Sequence, residues 1–311
     1  MLSSRSLRTI QDLSADDIML VLELARRFRE INERPIKKLP SLRGRTIINL
    51  FLEPSTRTRT SFEIAAKRLS ADAINISGSA SSTVKGESIT DTAETLSAMN
   101  CDLLICRHRY AGTPHLLEQH LACPVINAGD GKHQHPTQTL LDLFTIREEL
   151  GGIEGKTVGI VGDILHSRVA GSLGPALKLL GAKPLFIAAP TLLPSRPDVL
   201  GAEVCWSLDE CIGDLDVVYM LRIQSERLDS APFPSVREYS MLYGIDQRRL
   251  DMMKDDAIIM HPGPINRGVE LMPEAADSPR AHILDQVNAG VAVRMALMYL
   301  ILGGAIDGVA V

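Results

Sequence analysis

No apolar run in the sequence approaches the ~20 residues that a membrane-spanning helix requires. The polar start Met1-Leu2-Ser3-Ser4-Arg5-Ser6 likewise lacks a signal-peptide core. A cytoplasmic protein without membrane contact is expected. The five cysteines, Cys101, Cys106, Cys123, Cys205 and Cys211, form no CxxC pair and show no metal spacing with histidine, so reduced core residues are expected in place of disulfides or a metal centre. Basic runs are absent, aromatic residues make up 4% of the chain, and the net charge is −5. These absences exclude nucleic acid as a general partner and leave any anionic ligand to a few converging arginines and lysines. Internal low-complexity linkers are missing too, although 311 residues is long enough for two domains.

What is present is an alternation of strand and helix signals. Ser14-Ala15-Asp16-Asp17 opens a helix in capping-box fashion. Apolar runs at 46–52, 73–76, 103–106 and 124–127 then predict buried strands separated by helical segments. A helix over 137–150 ends in Gly151-Gly152 and links this half to a second one. That second half opens with the strand signal at 156–163; further strand candidates are 184–188, 203–206, 217–221 and 257–260, followed by a last helix over 287–302. The fold class expected is α/β, with two doubly wound parallel-sheet domains joined by interdomain helices. Gly159-Ile160-Val161-Gly162 after a strand invites a dinucleotide reading, but the G-x-G-x-x-G spacing is missing and His166-Ser167-Arg168 stands where a bare glycine approach would be needed.

The chemistry concentrates at turns after predicted strands. Between the run 46–52 and the helical spacing of Phe62, Ala65, Ala66 and Leu69 lie Ser55 and Thr56, whose hydroxyls can cap the helix and leave its first N–H groups for an anion. Arg57 adds a charge-assisted hydrogen bond there. A plain capped surface helix with an Arg59–Glu63 pair fits the same residues taken alone. Arg107 sits at the end of a strand, where open α/β sheets bind ligands, or else pairs structurally with a nearby carboxylate. His133 and His135 lack a convincing third metal ligand. In the second half Arg168, then Arg222-Ile223-Gln224-Ser225-Glu226, then His261-Pro262-Gly263-Pro264 each follow a strand and are expected to converge on one crevice. Arg168 beside Asp163 could also be an ordinary ion pair.

The string Ser55-Thr56-Arg57-Thr58-Arg59 resembles the carbamoyl-phosphate signature of the aspartate and ornithine carbamoyltransferases, and His135-Pro136-Thr137-Gln138 matches that family's H-P-T-Q motif. Motifs occur in family order over nearly the whole chain. The resemblance implies a carbamoyl-phosphate-binding domain at 1–135, with the C-terminal helix 287–311 packing back onto it, a linking helix at 136–150 and an aspartate-binding domain at 151–286. It assigns carbamoyl phosphate to Ser55, Thr56, Arg57, Thr58, Arg107, His135 and Gln138, to the backbone near Gly263 and Pro264, and to Ser81 and Lys85 reaching in from a neighbouring chain. L-Aspartate falls to Lys85, Arg168, Arg222 and Gln224. Glu270 and Glu226 either orient Arg222 or are ordinary solvated carboxylates. Arg57, Thr58, Arg107 and His135 become the catalytic residues. The implied reaction forms N-carbamoyl-L-aspartate and phosphate, the committed step of pyrimidine synthesis, with no cofactor and no metal.

Sharing of Ser81 and Lys85 implies a homotrimer. A regulatory chain or a dihydroorotase is left open as a further partner. An ornithine-specific enzyme would carry H-C-L-P and S-M-G segments, and two anion-seeking arginines stand here instead. A non-catalytic relative would be expected to have lost Arg57, Arg107, His135 or Arg222, all of which are present.

Overall fold

The computed structural model describes residues 2–77, 88–223 and 235–304. Ser81, Lys85, Gln224 and Glu226 therefore lie outside the described residues. The chain divides into two compact units: Met1–Phe144 with Asn288–Val311, and Thr145–Val287. In chain order the first passage contains α1 (Ala15–Glu33), β1 (Thr46–Phe51), α2 (Thr56–Arg68), β2 (Asp72–Ser77), α3 (Ile89–Ala98), β3 (Leu103–His108), α4 (Thr113–His120), β4 (Val125–Asp130) and α5 (Pro136–Leu150). It continues with β5 (Thr157–Val161), α6 (Ala170–Leu179), β6 (Lys183–Ile187), β7 (Glu203–Cys205), α7 (Leu208–Cys211), β8 (Val217–Met220), α8 (Val236–Tyr243), α9 (Gln247–Met252), β9 (Ile258–Met260), α10 (Pro273–Ala276) and α11 (Ile283–Ile301).

Both sheets are wholly parallel, ordered β2-β1-β3-β4 in the first unit and β7-β6-β5-β8-β9 in the second. This is the α/β arrangement that the alternating signals predict, because strands buried on both faces read as unbroken apolar runs; the edge strand β2, expected to be buried, is instead exposed or half-buried along its length, with no strand covering its outer side among the described residues. In each sheet the strand order reverses once, between β1 and β3 and between β5 and β8. At such a point consecutive crossovers leave on opposite faces, and the strand ends open a crevice between them. The outer edge of β4 is covered by the N-terminal segment, with Leu7 N–H donating to Val125 O at 2.9 Å and Asn127 N–H to Leu7 O at 2.8 Å.

Local chemistry sets the element ends. Ser14 caps α1 with a reciprocal box: its hydroxyl accepts from Asp17 N–H, and the Asp17 carboxylate accepts from Ser14 N–H at 3.0 Å. In the first unit Phe28 of α1 meets Tyr299 of α11 edge to face, with ring centroids 5.9 Å apart. Here α11 also carries Arg294, fully buried, which donates to Ser61 Oγ of α2 at 2.9 Å and lies 5.0 Å from the centre of the Phe62 ring.

The Gly-x-x-Gly run of β5 is accounted for by packing. A Cβ on Gly159 would stand 2.5 Å from Leu215 Cδ1, and one on Gly162, at φ 120°, would stand 2.7 Å from Tyr239 Oη. Neither glycine leaves the bare backbone approach that a pyrophosphate needs. Gly162→Ala combines left-handed strain with a contact on a buried ring, so it is expected to lower unfolding stability by about 1–3 kcal/mol. Urea unfolding measures this, and an alanine variant as stable as the parent would contradict the packing described.

Candidate active site

In the first unit the reversal point is flanked by two loops. β1 runs out through Leu52, Glu53 and Pro54 to Ser55, which occupies the position before α2 with extended backbone. Its hydroxyl accepts no capping bond, contrary to the expected side-chain cap. The hydroxyl is thus not spent on the helix, and the first-turn N–H groups keep the anion-facing role that a helix start provides. Thr56 and Arg57 are exposed, whereas Thr58 is buried. Lys67 Nζ lies 2.6 Å from Glu63 Oε1, one turn further on, and Arg59 adds a second positive charge that helps hold the Glu63 carboxyl below the usual range.

Arg107 belongs to the end of β3, in register opposite Phe51 of β1. Leu52 N–H donates to Arg107 O at 2.9 Å, which locks the two loop bases together. The guanidinium reaches Glu53 Oε1 at 3.4 Å and Ala128 O at 3.5 Å. Arg107 thus stands at the C-terminal end of a strand and also pairs with a carboxylate, as both sequence readings of its position require.

His135 and Gln138 enter from the β4–α5 connection, which Asp130 organises. Its carboxylate accepts from Gly112 N–H at 2.7 Å, Asn127 Nδ2 at 2.8 Å, Gln134 N–H at 3.2 Å and His133 Nδ1 at 3.1 Å. Burial opposes ionisation of Asp130, but the donations from His133, Asn127 and Gly112 outweigh it and hold the carboxyl below the usual range. The same contact raises His133. His133 thus serves the turn, and His135, buried, opens α5. Gln138 donates to Asp142 Oδ1 at 2.9 Å.

Asp142 and Arg294 are contributors that the sequence reading missed. Burial pushes the Arg294 guanidinium down to about 10, with the nearby Asp142 opposing and Arg107 adding to the shift. Arg294 braces α2 at Ser61 and Phe62, one turn below Arg57 and Thr58, while Asp142 anchors Gln138. The available signal was a lone arginine in the otherwise apolar stretch 289–302.

In the second unit the reversal point lies between β5 and β8. Asp163, just past β5, gives its carboxylate to His166, with Nδ1 at 2.9 Å and the backbone N–H at 3.1 Å, a turn-closing contact. Arg168 is buried immediately before α6. Past β8, Leu221 N–H donates to Val161 O at 2.8 Å, and Arg222 follows with Nε 3.5 Å from Asn266 Oδ1.

The loop after β9 is built on Glu270, which is inaccessible to solvent. Gly263 N–H donates to His261 Nδ1 at 2.8 Å, so the ring proton is on Nε2 and is donated to Glu270 Oε1 at 3.2 Å. The same carboxylate oxygen accepts from Asn266 N–H at 2.6 Å. Glu270, buried and not a solvated carboxylate, thus holds Asn266, whose Oδ1 lies 3.5 Å from Arg222 Nε. The Gly263–Pro264 backbone follows directly from this frame.

Over residues 5–148 the chain matches the family described as aspartate/ornithine carbamoyltransferase, carbamoyl-P binding domain. Over residues 154–301 it matches that family's Asp/Orn binding domain. It is 55% identical over 295 residues to the aspartate carbamoyltransferase catalytic subunit of Syntrophotalea carbinolica, covering 95% of this chain and 94% of the relative. To the subunit of the same name from Acidothermus cellulolyticus it is 54% identical, with 96% and 93% covered.

Among solved structures, the chain is similar to the aspartate transcarbamoylase of Trypanosoma cruzi in complex with N-(phosphonacetyl)-L-aspartic acid, with a TM-score of 0.87, 32% identity and 96% of each chain covered. It is also similar to the ornithine carbamoyltransferase of Pyrococcus furiosus, with a TM-score of 0.85, 29% identity, and 97% and 98% covered. With both halves matched and the motifs standing at the two strand-order reversals, the chain belongs to the aspartate/ornithine carbamoyltransferase family.

Proposed function

We propose that the protein transfers the carbamoyl group of carbamoyl phosphate to L-aspartate, forming N-carbamoyl-L-aspartate and phosphate at the committed step of pyrimidine synthesis. The observation that carries this reading is that guanidiniums are held at both reversal points, Arg57 and Arg107 in one unit and Arg168 and Arg222 in the other. One chain thus offers sites for two anions, one of them at a helix start. The names of the 55% and 54% identical relatives support aspartate as the acceptor. Fold alone would not choose, since an ornithine enzyme matches comparably well. The choice rests on Arg168 and Arg222, which favour a second carboxylate-bearing substrate and repel a cationic one.

In this reading the phosphate of carbamoyl phosphate sits on the α2 start, with Ser55, Thr56, Arg57 and Thr58, assisted by Arg107. Gln138 and the backbone near Gly263 and Pro264 take the carbamoyl NH2. Arg168 receives the α-carboxylate of aspartate, and Arg222 with Gln224 receives its side-chain carboxylate. The aspartate amine attacks the carbonyl carbon, and the tetrahedral oxyanion is stabilised by Thr58, Arg107 and His135. Collapse breaks the bond to the phosphate oxygen, and the departing phosphate accepts the amine proton. This chemistry draws on position and charge alone, with no cofactor or metal assigned.

We further infer a cytoplasmic homotrimer whose sites take Ser81 and Lys85 from a neighbouring chain. We assign carbamoyl phosphate to 1–135, onto which the C-terminal helix packs back, the link to 136–150 and aspartate to 151–286; the descriptions matched over 5–148 and 154–301 support one carbamoyl-phosphate half and one amino-acid half. The relatives' designation as catalytic subunits supports a companion chain.

Purified protein given carbamoyl phosphate is expected to carbamoylate L-aspartate and leave L-ornithine untouched, as measured by ureido-product formation. Product from ornithine would overturn the choice of acceptor. Arg107→Ala is expected to cut kcat by about 10²–10³-fold, the usual cost of one preorganised oxyanion donor. Steady-state kinetics on the folded variant tests this, and unchanged turnover would remove Arg107 from the chemistry. Mixing Arg107→Ala chains with Lys85→Ala chains is expected to restore activity to two inactive parents. Verified mixed oligomers without activity would refute shared sites.

A further inference from the structure

Cys101 and Cys123 are 22 positions apart, yet their sulfurs lie 3.3 Å from each other. Topology is the reason. Each cysteine stands two residues before a strand, β3 and β4 respectively, and these strands run parallel as hydrogen-bonded neighbours with Leu104 opposite Val125. Leu104 N–H donates to Pro124 O at 3.0 Å, which pins the approach segments just beyond the sulfurs. Leu96, Leu104, Leu121 and Val125 belong to the same buried cluster as the two thiols, so neither is free to swing away. The cysteines nevertheless keep 8% and 7% exposure, enough to meet a small solute. Bond formation needs the sulfurs to close from 3.3 Å to about 2.05 Å.

The two thiols are also unequal. The hydrogen bond from Cys123 draws Cys101 below the ordinary thiol range, against burial and Asp102, whereas the same bond and burial push Cys123 up. Thiolate character, which sets reactivity, therefore collects on Cys101.

We propose that Cys101 and Cys123 form an oxidation site for small hydroperoxides, which closes to a disulfide stapling the N-terminal ends of β3 and β4. The Cys101 sulfur attacks the peroxide oxygen, the O–O bond breaks, and Cys101 becomes a sulfenic acid while one water, or the corresponding alcohol, is released. The Cys123 sulfur then displaces hydroxide from the Cys101 sulfur, and the Cys123 proton leaves with it as water. Two thiols thereby give two electrons and two protons to one peroxide. Arg107 stands six positions along the chain from Cys101, at about 3.3 Å per residue of strand. The staple therefore bears on stability and not on the reacting groups.

Full-length protein treated with hydrogen peroxide is expected to yield a linked Cys101–Cys123 peptide, with the fully buried Cys106 still reduced. Its Tm should rise by several degrees, fall back on reduction with a dithiol, and stay unshifted in peroxide-treated Cys123→Ser protein. Mapping on the unaltered chain keeps the proposal testable even if the serine variant folds poorly. It is overturned if the linked peptide is absent from the oxidised protein, if the disulfide joins other cysteines, or if the linked form melts no higher than the reduced one. None of these readouts depends on the carbamoyl-transfer reading.

Discussion

A guanidinium cannot be kept out of bulk water without an acceptor, and the first unit meets this constraint through the register of two strands. Arg107 lies opposite Phe51, so that Glu53, two residues further along the neighbouring chain segment, comes within 3.4 Å of it. A slip of one residue would turn Arg107 to the other face of the sheet and leave the Glu53 carboxylate, almost fully covered, without its cation. The α2 start, the β3 end and the β4–α5 turn derive their common geometry from this pairing, because Leu52 is bonded to Arg107 and Arg107 in turn approaches Ala128.

Glu270 plays the corresponding part in the second unit, but through intermediaries. It fixes the His261 tautomer and the Asn266 backbone, and Asn266 reaches Arg222. In both units the frame is held by short contacts, 2.7 Å from Gly112 N–H to Asp130 and 2.6 Å from Asn266 N–H to Glu270. The Arg107 contact with Glu53 and the Arg222 contact with Asn266 are longer, 3.4 and 3.5 Å.

Much of the fold was legible because parallel strands covered on both faces announce themselves as apolar runs, and all nine described strands fall at the positions read from those runs. Boundaries were less so. Arg107 lies within β3 and not after it, since hydrogen bonding to β1 continues past the last apolar residue. Glu53, Asp142, Arg294 and Glu270 were harder still. A carboxylate that orients a guanidinium looks in sequence like any solvated acid, and Glu270 acts on Arg222 through a residue 44 positions from that arginine. Burial, which distinguishes these groups, is a property of neighbours remote in sequence.

By itself the sequence determined the α/β class, the family motifs and their order, and the residue types able to meet two anions, because strand and helix periodicity and turn chemistry are local. Tertiary structure alone decided which carboxylate holds which arginine, that Ser55 withholds its hydroxyl from the helix, that Gly159 and Gly162 make room for Leu215 and Tyr239, and that Cys101 and Cys123 touch. Each of these depends on strand order and register, which bring together residues that no sequence spacing relates.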